Sequence, residues 1–242
     1  LAAQPTTDLN MIEYVNQPHY LVAVDCIVFG FDDGQLKILL VKRGLEPEIN
    51  KWCLMGGFVG AEETPDDAAN HVLKKLTGLE GVYLEQLRVY GEPKRDPIER
   101  TLSVGYFALI DIQKYKTQLI DNYQAEWFLI SDMPKLIFDH NKMVSDARKA
   151  LRYKASLHPI LFEMLPKKFT IPQLQTLFEQ VNDTKVDTGN FSRKITSTGL
   201  LIKLEEKDKS SSKKGAYYFK LDKKKYAANF HTFLSLIPSL KP

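Results

Sequence analysis

The chain has 242 residues, 44% hydrophobic and 26% charged, the balance of an ordinary globular protein with enough apolar side chains for a core. No apolar run is long enough to span a bilayer, and the opening LAAQPTTDLNMIEYVNQPHY lacks the basic region and apolar stretch of a secretory signal, so no membrane partner is expected. The net charge of +3 hides an asymmetry. From Lys167 to the C-terminus 15 Lys and Arg stand against 7 Asp and Glu, a local +8 that leaves −5 for the rest. A basic tail on an acidic body predicts two units, one of which meets a polyanion. The only cysteines, Cys26 and Cys53, lie in apolar runs and read as buried free thiols in a reducing compartment, the cytoplasm.

In chain order, residues 1–18 form a polar lead-in and residues 19–138 read as α/β. YLVAVDCIVFGF (20–31) and QLKILLVKR (35–43) are apolar and β-rich, and DDG (32–34) between them signals a hairpin. KWCLMGGFV (51–59) is expected as a third strand, and LEQLRVYGEP, TLSVGYFALI and EWFLI as later ones. KRDPIER (94–100) is a charged loop between two of these. Strands with helices at the margins predict a mixed sheet covered by helices. Residues 139–165 connect: Met143, Ala147, Ala150 and Leu151 recur at helical spacing behind Asp139, placed to cap, and LPKK (165–168) reads as a linker.

The stretch GGFVGAEETPDDAANHVLKKLTGLEG (56–81) contains a well-specified helix over 64–78. Thr64 is the N-cap, Pro65 suits the first turn, Asp66 and Asp67 complement the dipole, and Gly78 ends it. Residues 166–242 follow a winged-helix pattern. Thr170 caps a helix with Leu174, Leu177 and Phe178 as its buried stripe, Asp187 or Thr188 caps a second, and Gly199 ends that one. Phe191 and Ile195 face inward, leaving Asn190, Arg193, Lys194 and Ser197 to reach base edges in a DNA major groove. The wing lysines Lys207, Lys209, Lys213 and Lys214 would neutralise phosphates, and Thr170 and Gln173 would touch the DNA backbone.

The 56–81 stretch resembles the Nudix box, G-x5-E-x7-R-E-U-x-E-E-x-G-U with U apolar. Gly57, Glu63, Leu73, Gly78 and Leu79 match, but His71 occupies the Arg position, and Val72, Lys75 and Leu76 occupy the three helical Glu positions. In active members these i, i+3, i+4 carboxylates gather divalent cations that activate water. The resemblance therefore implies a Nudix-like fold without catalytic residues, metal or cofactor. FDHNKMV, LPKKFTIPQLQTLFEQV, NFSRKI and KGAYYF extend the likeness over nearly the whole chain, to the NrtR-type Nudix-related bacterial transcriptional regulators. The L-arabinose-responsive subgroup (AraR) resembles it most, since its box is also degraded.

The fold class implied is α/β, a Nudix-like mixed sheet between helices followed by a winged helix-turn-helix domain. The function implied is a repressor that binds a palindromic operator as a homodimer and senses a small molecule, L-arabinose, that weakens its grip on DNA. ADP-ribose is the alternative effector. A hydrolase with a nucleic-acid-binding tail and an adaptor with a protein-docking tail are the competing classes. A sugar needs bidentate polar groups beside an apolar wall. The charged strand ends offer Asp32, Lys42, Arg43, Arg95, Asp96 and Arg100, joined by Asp139 and His140. For ADP-ribose, Arg95 and Arg100 would be the phosphate partners.

Overall fold

The structure is a computed structural model and describes residues 17–78, 80–115, 125–210 and 214–229. β1 (Leu21–Asp32) turns into β2 (Gln35–Lys42) through Asp33 and Gly34, both at positive φ. Asp and Gly tolerate this left-handed backbone, so the two residues close the expected hairpin, with Asp32 opposite Gln35. β1 runs parallel to β6 (Thr101–Asp111), which continues into the short helix α2 (Ile112–Tyr115). β5 (Tyr83–Tyr90) lies beyond β6, giving the order β3-β2-β1-β6-β5 with β3 (Trp52–Cys53) at the other end. β4 (Met55–Phe58) also pairs with β1, and β7 (Glu126–Leu129) with β2.

The single strand expected over 51–59 is thus two. Leu54 interrupts it, its N–H donating to Nδ1 of His140 at 3.1 Å, and the chain passes there from the side of β2 to that of β1.

The period-two alternation of β1 divides the core. Val24, Cys26 and Val28 pack with Ala68, Ala69 and Leu73 of α1 (Pro65–Thr77). Ile27, Phe29 and Phe31 pack on the opposite side with Met143, Val144, Ala147 and Leu151 of α3 (His140–Leu157). Both cysteines are buried and unbridged, as expected.

The second core does not stop at the predicted linker. A turn at 160–164 buries Ile160, Leu161, Phe162 and Met164, and Leu165 is only 6% exposed. The same apolar cluster continues through Leu174, Leu177, Phe178 and Val181 of α4 (Ile171–Asn182) to Phe191 and Ile195 of α5 (Thr188–Ser197). Each large apolar side chain buried here contributes roughly 1.5–3 kcal/mol, so the basic region is packed against the sheet and not hung from a tether. Its own sheet is antiparallel, β8 (Phe169–Thr170), β10 (Ala216–Leu221) and β9 (Leu201–Asp208) in that spatial order, and α6 (Lys223–Asn229) follows. No helix among the described residues is long and apolar enough to cross a membrane.

Candidate functional site

Helix α1 is pinned at both ends. The Thr64 hydroxyl accepts from the Asp67 N–H at 3.2 Å while Asp67 Oδ2 accepts from the Thr64 N–H at 3.1 Å, a closed capping box. At the other end Gly78 adopts φ 70° and its N–H reaches Lys74 O at 2.8 Å. The helix lies so close to β4 that a Cβ on Gly57 would sit 2.9 Å from Val72 Cγ2. A side chain at position 57 would crowd Val72, so glycine suits this chain there.

Between α1, strands β1, β2 and β4, and the start of α3 opens a cavity of about 770 Å³. His71, Val72, Lys75 and Leu76 of α1 line one wall. Of the residues expected to bind an effector, Lys42, Arg43, Asp96 and His140 line it too. Arg43 is fixed by its Nε, which donates to Leu45 O at 3.0 Å and Pro47 O at 2.7 Å, and its guanidinium stands 5.1 Å from the Phe138 ring. The Lys42 ammonium lies 5.2 Å from the Trp52 ring.

The other four expected residues are elsewhere. Asp32 is buried at the hairpin end, where it accepts from Gln113 Nε2 and pairs with Lys37 Nζ at 3.5 Å. Arg100 covers Tyr20 at 5.1 Å and donates to Glu92 O. Arg95 and Asp139 bind each other behind the cavity wall. Asp139 does sit at the N-cap of α3, but its side chain makes no capping bond because Arg95 holds it. Asp25 and Phe138, both on the cavity wall, were missed by sequence reasoning. Asp25 sat inside an apolar run, and the only signal was that a charge in the middle of a buried strand needs a partner.

That partner is Arg95, 8% exposed, whose Nη2 donates to Asp25 Oδ2 at 3.3 Å and to Asp139 Oδ1 at 2.8 Å. Burial opposes the guanidinium's charge, but the two carboxylates more than offset it and hold its pKa above the ordinary value. Ser103 Oγ donates to Asp25 Oδ2 at 2.6 Å. His140, 4% exposed, faces Asp25 Oδ1 with Nε2 at 3.6 Å. Burial lowers the imidazole's pKa despite Asp25 and Asp139, so the ring is neutral, with Nδ1 free to accept from Leu54.

The donors in this cavity do not fit the Nudix cation site. The helix face offers Val72, Lys75 and Leu76, and no group of three or more His, Cys, Asp or Glu among the described residues could hold a metal. Of the carboxylates lining the cavity, Asp25 is taken by Arg95 and Ser103. Glu63 is taken by the Gly60 N–H at 3.0 Å and by His71 Nδ1 at 3.1 Å. Asp96 accepts from the Ile98 N–H. The neighbouring Glu62, Glu80 and Glu85 do not line the cavity; Glu80 pairs with Lys74 and Glu85 with Lys154.

In the basic region, Asp187 caps α5 by accepting from the Asn190 N–H at 2.8 Å. Phe191 and Ile195 are buried, and Asn190, Arg193, Lys194 and Ser197 are exposed on one helix. Arg193 donates to Asn190 Oδ1 and lies 3.4 Å from Gly189 O. Lys209 and Lys214 are exposed in the wing, where the Lys207 ammonium lies 4.4 Å from the Tyr217 ring. Lys213 lies outside the described residues, as does the box residue Leu79. Gln173 is exposed, but Thr170 is 2% exposed and spends its hydroxyl and N–H on a capping box with Gln173. It offers no surface to a DNA backbone.

Residues 161–221 match the NrtR DNA-binding winged helix domain, and residues 19–152 the NUDIX domain. Over 223 residues the chain is 32% identical to the "ADPR responsive transcriptional repressor NtrR" of Acinetobacter baylyi, covering 90% of this chain and 88% of that protein. The chain belongs to the NrtR family. The fold agrees along nearly its whole length. Shewanella oneidensis NrtR crystallised with a 27mer DNA is 27% identical at a TM-score of 0.79, covering 89% of this NrtR-family chain and 99% of that one. The NUDIX domain of the same Shewanella protein, complexed with ADP ribose, is 31% identical at a TM-score of 0.51, covering 57% of this chain and 93% of that one. A third relative, an ADP-ribose pyrophosphatase of Methanocaldococcus jannaschii, is 36% identical over 129 residues, covering 53% of this chain and 73% of that protein.

Proposed function

We propose that this NrtR-family chain is a DNA-binding transcriptional repressor whose Nudix-type cleft receives ADP-ribose without cleaving it, and that the ligand loosens the repressor from its operator. The single observation that carries this reading is the cleft itself. It is lined by Lys42, Arg43 and Lys75, while the helix positions that carry carboxylates in the Nudix box hold Val72, Lys75 and Leu76. Cationic side chains answer a diphosphate, and about 770 Å³ stands in the upper part of the roughly 300–1,000 Å³ typical of small-molecule sites. A pentose alone would leave most of it empty. The effector shifts accordingly from the L-arabinose expected from the sequence to ADP-ribose, in line with the relatives' names.

On DNA the protein acts as a homodimer whose paired winged helices grip two half-sites of a palindrome. The route from cleft to wing is α3. Its first residue, His140, lines the cavity, and further along it Arg148 and Arg152 bind Asp183, the C-cap of α4. A ligand that favours one arrangement of this helix by about 1–3 kcal/mol changes operator affinity some 5- to 150-fold. Fluorescence anisotropy with the DNA upstream of the protein's own gene and its neighbours tests the reading. Binding should be salt-dependent, weakened by ADP-ribose and indifferent to L-arabinose; absence of specific binding to any of these fragments overturns it.

The identity to an ADP-ribose pyrophosphatase favours a second reading, a hydrolase with a nucleic-acid-binding tail. Magnesium-dependent cleavage of ADP-ribose to AMP and ribose 5-phosphate would establish it.

A further inference from the structure

We propose that Lys75 replaces the divalent cation of a hydrolytic Nudix site, so that the cleft neutralises a diphosphate with its own ammonium group and binds its ligand without metal. This rests on the ADP-ribose reading above and names how that ligand is held.

The argument begins with spacing. Positions 72, 75 and 76 share one face of α1, and all three line the cavity. Val72 and Leu76 bracket Lys75 with apolar groups and carry no charge to compete for it. The Lys75 side chain is exposed, and it has no hydrogen bond or ion pair among the described residues. Its neighbour Lys74, by contrast, is engaged by Glu80 at 2.6 Å. The acids of the cavity are spent on protein partners, Asp25 on Arg95 and Glu63 on the Gly60 N–H and His71. An incoming Mg²⁺ would meet an ammonium and no free carboxylate cluster. An incoming diphosphate would meet that same ammonium, and Lys42, the last residue of β2, and Arg43, one residue beyond it, line the same cavity. A lysine ammonium is a compact point charge that serves phosphate well in other protein sites. The substitution also separates binding from turnover, because an ammonium neutralises the anion without holding and activating a water as a bound metal ion would.

The test is isothermal titration of the full-length protein with ADP-ribose, once in EDTA and once in magnesium, for the native chain, Lys75→Met and Lys75→Glu. The native chain should bind equally well in both buffers. Lys75→Met should weaken binding about ten- to a hundredfold, the worth of a hydrogen bond to a charged group, and should leave binding of phosphate-free adenosine unchanged. Lys75→Glu should bind more weakly still in EDTA. Lys75 is exposed, so the fold should survive both changes, and matching thermal transitions verify this. Native binding that collapses in EDTA, or an unchanged affinity in Lys75→Met, overturns the inference and leaves the effector reading standing. No native binding in either buffer overturns both.

Discussion

Arg95 grips Asp139 in a two-pronged pair, Nη2 to Oδ1 at 2.8 Å and Nε to Oδ2 at 3.1 Å, across 44 residues of sequence. The same Nη2 reaches Asp25 at 3.3 Å, so one buried guanidinium ties β1, the charged loop and the start of α3 together. Removing one partner of a buried pair strands the others without compensation. Arg95→Ala should therefore destabilise the protein by about 3–5 kcal/mol, read as a lowered urea midpoint. A loss below about 1 kcal/mol, the value of an exposed pair, would mean water reaches the cluster.

His140 should make stability depend on pH. Its folded pKa is lowered, chiefly by burial, and protonating Nδ1 would turn the acceptor of the Leu54 N–H into a second donor. The unfolded chain takes up the proton first, near the ordinary value of about 6.5. The contribution is then complete above that pH and lost as pH falls toward the lower folded value. Denaturation curves from pH 8 to pH 5 should show this slope, and His140→Gln should flatten it. An unchanged slope would assign it to other groups.

On the exposed face of α5, Arg193→Ala should cost about 1–3 kcal/mol on operator DNA and clearly less on random sequence. Lys209→Ala should weaken both alike and reduce the slope of log K against log salt by about 0.9. Equal losses on both DNAs for Arg193→Ala would make it a phosphate contact.

Thr170→Ala should cost about 1 kcal/mol of stability, the usual value of an N-cap, because the buried hydroxyl closes the α4 capping box. It should leave the salt slope of DNA binding where it was. A shallower slope would return Thr170 to the DNA surface.

What the sequence determined by itself is local. The DDG hairpin, the capping boxes at Thr64 and Thr170, the αL end at Gly78 and the inward Phe191 and Ile195 are interactions within a few residues, so neighbouring side chains suffice to specify them. The altered positions 71, 72, 75 and 76 were legible from the resemblance to the Nudix box. Tertiary structure decided the rest. It brought Asp25 to Arg95 across 70 residues, took Asp139 from its capping duty, buried the expected linker at Leu165, and sorted eight charged candidates into four that line the cavity and four that do not. Burial and ion pairing depend on which distant surface arrives opposite a side chain, and only the packed sheet and helices fix that.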